Sequence, residues 1–166
     1  MCRFFGCRMN YMEEERDMSK SKIEVSVDIK RPFSEVHDFL DDSDNDPLWQ
    51  TSVMESKRSS DGPIGVGTIY HVKAKFLGRL WEQDWEVVEH DKDEHHWKAK
   101  TTSGPLKMVA ELRYKETDGG THTRVIRSLE VDVGHFFKLA TPVVERSIKR
   151  ELDTDFEILK DILEHQ

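Results

Sequence analysis

The chain has 166 residues, of which 36% are apolar and 35% are charged, and its formal net charge is −8. This length suits one domain and is too short for two domains with separate cores. The acidic balance argues against a nucleic-acid surface, which needs clustered Lys and Arg, and against stable insertion into an anionic membrane. No apolar run reaches the roughly 18 residues of a membrane helix, so the sequence predicts a cytoplasmic protein.

The first 22 residues differ from the rest of the chain. They carry five basic and four acidic residues and show neither strand alternation nor a helical period. Both cysteines, Cys2 and Cys7, lie here, so no disulfide framework is predicted for the rest, as expected in a reducing compartment. We predict a flexible extension over residues 1–22 and a single domain over residues 23–166.

A strand and two short helices are predicted next. Apolar and polar residues alternate over residues 23–29, which is typical of a half-buried strand. Pro32 favours the first turn of a helix, and Val36, Phe39 and Leu40 supply its apolar stripe. The acid-rich segment 41–46 ends this helix and precedes a Leu48–Trp49 anchor.

Residues 51–133 have the pattern of turn residues expected of an antiparallel meander, with six strand-like stretches between Gly-rich or Asp-rich turns. In most of these stretches apolar residues alternate with charged ones, which predicts a sheet with one apolar and one solvated face. From about residue 137 to 164 the apolar period changes to steps of three and four, so a long helix begins near Pro142. Such a sheet must curl around this helix to bury its apolar face.

This order of elements resembles the START-like, or SRPBCC, superfamily, in particular its polyketide cyclase/dehydrase and lipid-transport branch. The match spans about residues 23–164 and rests on four short segments: Ile29-Lys30-Arg31-Pro32-Phe33-Ser34-Glu35-Val36 leading to Phe39-Leu40 and Trp49, Gly65-Val66-Gly67-Thr68, Trp85-Glu86-Val87-Val88-Glu89, and Gly119-Gly120-Thr121. The resemblance implies an α+β helix-grip fold, in which a curved seven-stranded antiparallel sheet wraps a long C-terminal helix and encloses a cavity. It also implies a lipid, sterol, hormone, polyketide or quinone-like ligand, and it supplies no universal catalytic motif.

Two polar residues lie on the apolar parity of predicted strands. Arg127 lies between Val125 and Leu129, and Gln83 lies between Trp81 and Trp85. In a cavity, either side chain could bind a ligand carboxylate or carbonyl. Alternatively, Arg127 pairs with an acidic core neighbour or lies at the wet end of the sheet.

Aromatic and apolar residues on the same parity are candidates for the wall of the cavity. A filled core is the alternative for each of them. The candidates are Tyr70, Trp85, Trp97, Met108 and Tyr114 from the strands, and Val144, Ile148 and Leu152 from the helix.

No metal site or other cofactor site is predicted. The eight histidines are scattered, and none belongs to a motif such as His-Glu-x-x-His. The segment that begins at Asp42 resembles a calcium loop, but it has Pro47 at the sixth position and Val53 at the twelfth, where that loop needs Gly and Glu.

Three functions remain open at this point. The first is binding or carriage of a small hydrophobic ligand, such as a lipid, a polyketide or a quinone-like molecule. The second is a metal-free cyclase or dehydratase that uses Tyr70 or Tyr114 as an acid/base, with Arg127 polarising a carbonyl. The third is a protein-interaction module that uses the charged outer face of the last helix.

Overall fold

The computed structural model describes residues 20–76, 78–132 and 141–165. Within these ranges seven strands form an antiparallel sheet in the order β1-β7-β6-β5-β4-β3-β2. The strands are β1 (Lys20–Ile29), β2 (Val53–Arg58), β3 (Ile69–Phe76), β4 (Arg79–Asp91), β5 (His96–Thr101), β6 (Lys107–Thr117) and β7 (His122–Asp132). The helices are α1 (Phe33–Asp41), α2 (Asp46–Trp49) and α3 (Thr141–Glu164), with short 3-10 turns at Ser43–Asn45 and Asp118–Gly120. The predicted fold class is confirmed.

The strand β1 begins earlier than its alternating pattern indicated. It pairs with β7 from Lys20, opposite Asp132, to Ile29, opposite Thr123. Residues 20–22 therefore lie in the sheet, up to three positions before the predicted start of the domain. The predicted flexibility of residues 1–19 lies outside the described part of the chain.

The helix α1 and the turn after it form as their residue types favour. Pro32 stands just before the helix with φ −64°, and Val36, His37 and Leu40 point inward and are buried. The acid-rich segment then folds into the 3-10 turn, where the Asp42 carboxylate accepts a hydrogen bond from the backbone N–H of Asp44 (3.1 Å). The helix α2 follows directly, and its last residue, the predicted anchor Trp49, is almost fully buried.

The core lies between α3 and the concave face of the sheet. One stripe of α3 is buried against inward side chains of β1, β6 and β7 and against α1, and it consists of Ile148, Leu152, Phe156, Leu159 and Leu163. These residues recur at steps of four and three, so one face of a straight helix can carry them all. The sheet therefore grips the helix along its apolar stripe.

The C-terminal end of α3 is fixed to the segment that joins β1 to α1. Arg31 Nε donates a hydrogen bond to the carbonyl oxygen of Leu163 (2.7 Å), and the backbone N–H of Lys30 donates to Glu164 Oε1 (2.8 Å). Two of the last carbonyl and carboxylate groups of the helix are satisfied in this way. The N-terminal half of α3 instead borders empty space, and this space is the candidate site.

Candidate functional site

A cavity of about 140 Å³ lies between the concave face of the sheet, α2 and the N-terminal half of α3. Its wall is mostly apolar and takes residues from β3 to β7. Eight of the ten predicted site residues line it: Tyr70, Gln83, Trp85, Trp97, Met108, Arg127, Ile148 and Leu152. The alternation that defined the inward parity therefore located most of the wall, whereas the binding roles of these residues stay predictions.

The two other predicted site residues do not contribute to the observed wall. The side chain of Val144 lies outside the described part of the structure. Tyr114 points inward but lies where α1 covers the sheet, with its ring centroid 5.5 Å from that of Phe33 and 5.8 Å from that of His37. Tyr114 is therefore not part of this wall: it fills the core beneath α1, and burial raises the pKa of its hydroxyl.

A polar cluster forms one part of the wall around Arg127. The guanidinium Nη2 donates a hydrogen bond to Gln50 Oε1 (2.9 Å), and the guanidinium carbon lies 5.2 Å from the centroid of the Trp49 ring. Burial lowers the pKa of Arg127, and the charges of nearby acidic groups oppose this effect. These groups are Asp46, Asp155 and Glu151. The structure therefore places acidic neighbours near Arg127, as one of the two alternatives predicted. The hydrogen bond of Arg127 nevertheless goes to the side-chain amide of Gln50.

The acidic members of this cluster were missed by the sequence analysis. Burial raises the pKa of Asp46 to about 7 against the opposing charge of Arg127. Burial also raises the pKa of Asp155, whose Oδ1 accepts hydrogen bonds from the backbone N–H and the hydroxyl of Thr51 (2.8 and 2.7 Å), and that of Glu151. Asp155 lies three positions after Leu152 on the buried face of α3, which was an available signal. Asp46 had no such signal, because it belongs to an acid-rich run typical of a solvated loop.

Several polar atoms of the wall are shielded from solvent and have no hydrogen-bond partner among the described residues. They include Trp97 Nε1 and Arg127 Nη1. Burial raises the pKa of Tyr70 to about 12, so its phenol stays protonated at neutral pH. A buried donor without an acceptor costs on the order of 1–3 kcal/mol. A guest oxygen that accepts from these groups would recover part of that cost.

The raised pKa of Asp46 predicts how an Asp46→Asn variant responds to pH. The folded protein holds this proton up to about pH 7, whereas the unfolded chain loses it near pH 4. The unfolded state thus binds fewer protons in this range, and the contribution of Asp46 to stability falls as pH rises through it. The variant has no such loss, so urea unfolding should find it gaining stability relative to the wild type from pH 4.5 to pH 8. A constant difference across this range would contradict the assignment.

Some of the histidines are less scattered than predicted. His71 and His96 lie on the outer face of the sheet and contact Asp84 and Glu111 (2.8 and 2.9 Å), as solvated residues often do. His37 and His90 instead meet at Asp41, so the structure brings together three side chains of metal-ligating type. The sequence contains half of this signal, because His37 and Asp41 are four positions apart on one helix.

Three solved structures illustrate the likeness of the fold. A protein from Thermus thermophilus is 15% identical, with 86% of this chain and 97% of that chain covered and a TM-score of 0.75. The Zhui aromatase/cyclase from a Streptomyces species is 14% identical, with 88% and 94% covered and a TM-score of 0.73. A START superfamily protein from Mycobacterium smegmatis is 12% identical, with 87% and 97% covered and a TM-score of 0.71. At these identities the likeness establishes the fold alone.

Other comparisons bear on membership and on membranes. No curated protein sequence matches the chain significantly. Across the described ranges, each helix is too short or too polar to cross a bilayer. Residues 20–164 match the family described as polyketide cyclase/dehydrase and lipid transport. Because this match covers most of the chain and the fold agrees with it, the protein belongs to that family.

Proposed function

We propose that this protein binds or carries a small, largely apolar molecule, such as a lipid, a polyketide or a quinone-like compound, in the cavity between the sheet and α3. One observation carries the proposal: an apolar cavity whose wall holds buried hydrogen-bond donors that find no acceptor among the described residues. Its volume of about 140 Å³ is many times the roughly 10–15 Å³ that one water molecule needs. A filled core would provide neither the space nor the unused donors.

The chemistry of the wall favours a ligand with a neutral oxygen. Arg127 Nη1 and Trp97 Nε1 can only donate, so each suits a carbonyl or hydroxyl oxygen. The sequence analysis also allowed a ligand carboxylate as the partner of Arg127, but a carboxylate suits this wall less well. Three acidic groups, Asp46, Glu151 and Asp155, already interact with this one cation, and they would repel a second negative charge as they ionise.

A matched pair of fluorescent probes tests both parts of the proposal. The compounds 9-anthracenemethanol and 9-anthracenecarboxylate share one ring system and differ in the charge of the polar group. We expect the alcohol to bind with the higher affinity, by about tenfold, which corresponds to about 1.4 kcal/mol. Tighter binding of the carboxylate would overturn the inferred preference for a neutral ligand.

Two phenylalanine variants on the same strand test the location of binding. Ala110 lines the cavity, whereas the neighbouring Val109 has the opposite parity on β6. Ala110→Phe should fill the cavity and reduce binding of 9-anthracenemethanol at least tenfold, and Val109→Phe should leave it unchanged. If Ala110→Phe kept its native circular dichroism and still bound the alcohol like the wild type, the cavity would not be the binding site.

A cyclase or dehydratase activity is favoured by one specific observation. Asp46 lines the cavity with a pKa of about 7, in the range suited to a general acid or base, and Arg127 beside it could polarise a carbonyl. Asp46 is better suited to this scheme than the earlier candidates, because Tyr70 holds its proton and cannot serve as a base, and Tyr114 lies off the wall. Turnover of a poly-β-keto thioester that Asp46→Asn abolishes, with binding of 9-anthracenemethanol intact, would favour the enzyme over the carrier.

A further inference from the structure

We propose that His37, Asp41 and His90 form a binding site for a divalent transition metal of the Zn²⁺ class, which links α1 to β4. One potential ligand atom from each side chain lies within 4.8 Å of the other two. None of the three residues lines the cavity, so the site is separate from the one proposed above.

Local geometry explains why these three side chains meet. His37 and Asp41 are four residues apart on α1, so they project from the same face of the helix. His90 lies near the end of β4, and its ring centroid is 6.1 Å from that of His37. An ion bound by two side chains of one helix turn and a third from a strand would connect α1 to β4.

The distances are close to those that a metal ion needs. His90 Nε2 lies 2.5 Å from Asp41 Oδ1, and His37 Nε2 lies 4.0 Å from the same oxygen. A tetrahedral Zn²⁺ with bonds of about 2.0–2.1 Å sets its ligand atoms about 3.3 Å apart. These two distances lie on either side of this value and the third pair lies within 4.8 Å, so shifts of about 1 Å at the side-chain tips would admit an ion. The ion would then replace the hydrogen bond between His90 and Asp41.

Burial and the outer contacts favour a metal over a solvated ion pair. The three side chains are only 8%, 14% and 12% exposed, in chain order. Asp38 Oδ1 lies 3.7 Å from His37 Nδ1, the nitrogen opposite the proposed ligand atom, and such a carboxylate orients a metal-bound imidazole. Lys92 Nζ lies 3.9 Å from Asp41 Oδ2, but its side chain is 57% exposed and can swing into solvent.

The donor set indicates the class of metal. Two imidazoles and one carboxylate suit Zn²⁺, Co²⁺, Ni²⁺ or Cu²⁺, whereas Ca²⁺ and Mg²⁺ require mostly oxygen ligands. Three protein ligands also leave one position of a tetrahedral ion open for water or another small molecule. The proposed ion would therefore brace α1 against the sheet and keep one exchangeable position.

Calorimetric titration of the chelator-treated full chain with ZnCl2 tests this site. We expect one equivalent to bind, and His90→Gln and Asp41→Asn to weaken binding by about 100-fold or more, since even the loss of an outer contact costs about 10- to 100-fold. Asp38→Asn should cost about 10-fold on the same grounds. His96→Gln is the matched control, because His96 also contacts two carboxylates, those of Glu89 and Glu111, but on the outer face of the sheet.

A second variant keeps the proposal testable if the ligand variants fail to fold. Lys92→Ala removes a cation near Asp41 from an exposed position, so it should leave the fold intact and strengthen Zn²⁺ binding. The absorption spectrum of bound Co²⁺ should show the intense bands of a four-coordinate ion in the wild type and lose them in His90→Gln. Zn²⁺ affinity that is unchanged in Asp41→Asn and Lys92→Ala, or that His96→Gln abolishes, would overturn the assignment.

Discussion

Replacing Arg127 by alanine should destabilise the folded protein by about 3–5 kcal/mol, the cost of removing one partner from a buried charge cluster. Arg127 is the cation that opposes the negative charge of Asp46, Glu151 and Asp155, and its guanidinium packs on Trp49. Its removal leaves these carboxyl groups to ionise against one another in a poorly solvated place. Urea denaturation at pH 8 measures the effect.

Two comparisons separate charge from packing in this result. Adding Asp46→Asn to Arg127→Ala should restore part of the stability at pH 8, because one of the uncompensated carboxylates is gone. Arg113→Ala is the matched control on the outer face, where Arg113 pairs with Glu24 in an exposed salt bridge of 2.5 Å and should contribute less than about 1 kcal/mol. Equal losses for the two arginines would show that Arg127 is not part of a buried cluster.

Replacing Leu159 by alanine should cost about 2–5 kcal/mol of unfolding free energy. Leu159 belongs to the buried stripe of α3 and is 0% exposed. The substitution removes its methyl groups and leaves a void that the sheet on one side and the helix on the other can close only in part. Thermal unfolding and urea denaturation should agree on the loss.

The neighbouring Glu157 supplies the control for this prediction. It lies two residues away on the exposed face of the same helix, so Glu157→Ala should change stability by no more than about 0.5 kcal/mol. A small effect of Leu159→Ala would mean that α3 does not form the centre of the core.

Local periodicity predicted the helices and strands, and the family resemblance supplied their helix-grip arrangement. The spacing of residues such as Tyr70 and Val72, or Leu152 and Leu159, indicates which face of the strand or helix they lie on. No information about long-range contacts is needed for this. The same reasoning located most of the cavity wall. It did not locate the end of the wall. The inward face of β6 continues past the cavity to Tyr114, and there α1 packs on the sheet.

The polar chemistry of the two sites depends on contacts that the spacing does not contain. Asp46 looks like a solvated loop residue until α2 turns it toward Arg127, 81 positions later in the chain. Nothing in the sequence marks His90 as a metal ligand. Only its contact with Asp41 of α1 in the folded protein does so. Such groups come together only through tertiary packing, so a single sequence without its fold could not pair them.

The bonds at the C-terminal end of α3 predict how firmly different parts of this helix are held. Its last turn is bonded to Lys30 and Arg31, whereas Ile148 and Leu152, nearer its N-terminus, border the cavity. Amide hydrogen exchange along α3 should therefore be graded, with slow exchange near Leu159 and faster exchange near Ile148. A ligand that fills the cavity should slow amide exchange most near Ile148, because the C-terminal end of the helix is already held by its bonds to Lys30 and Arg31.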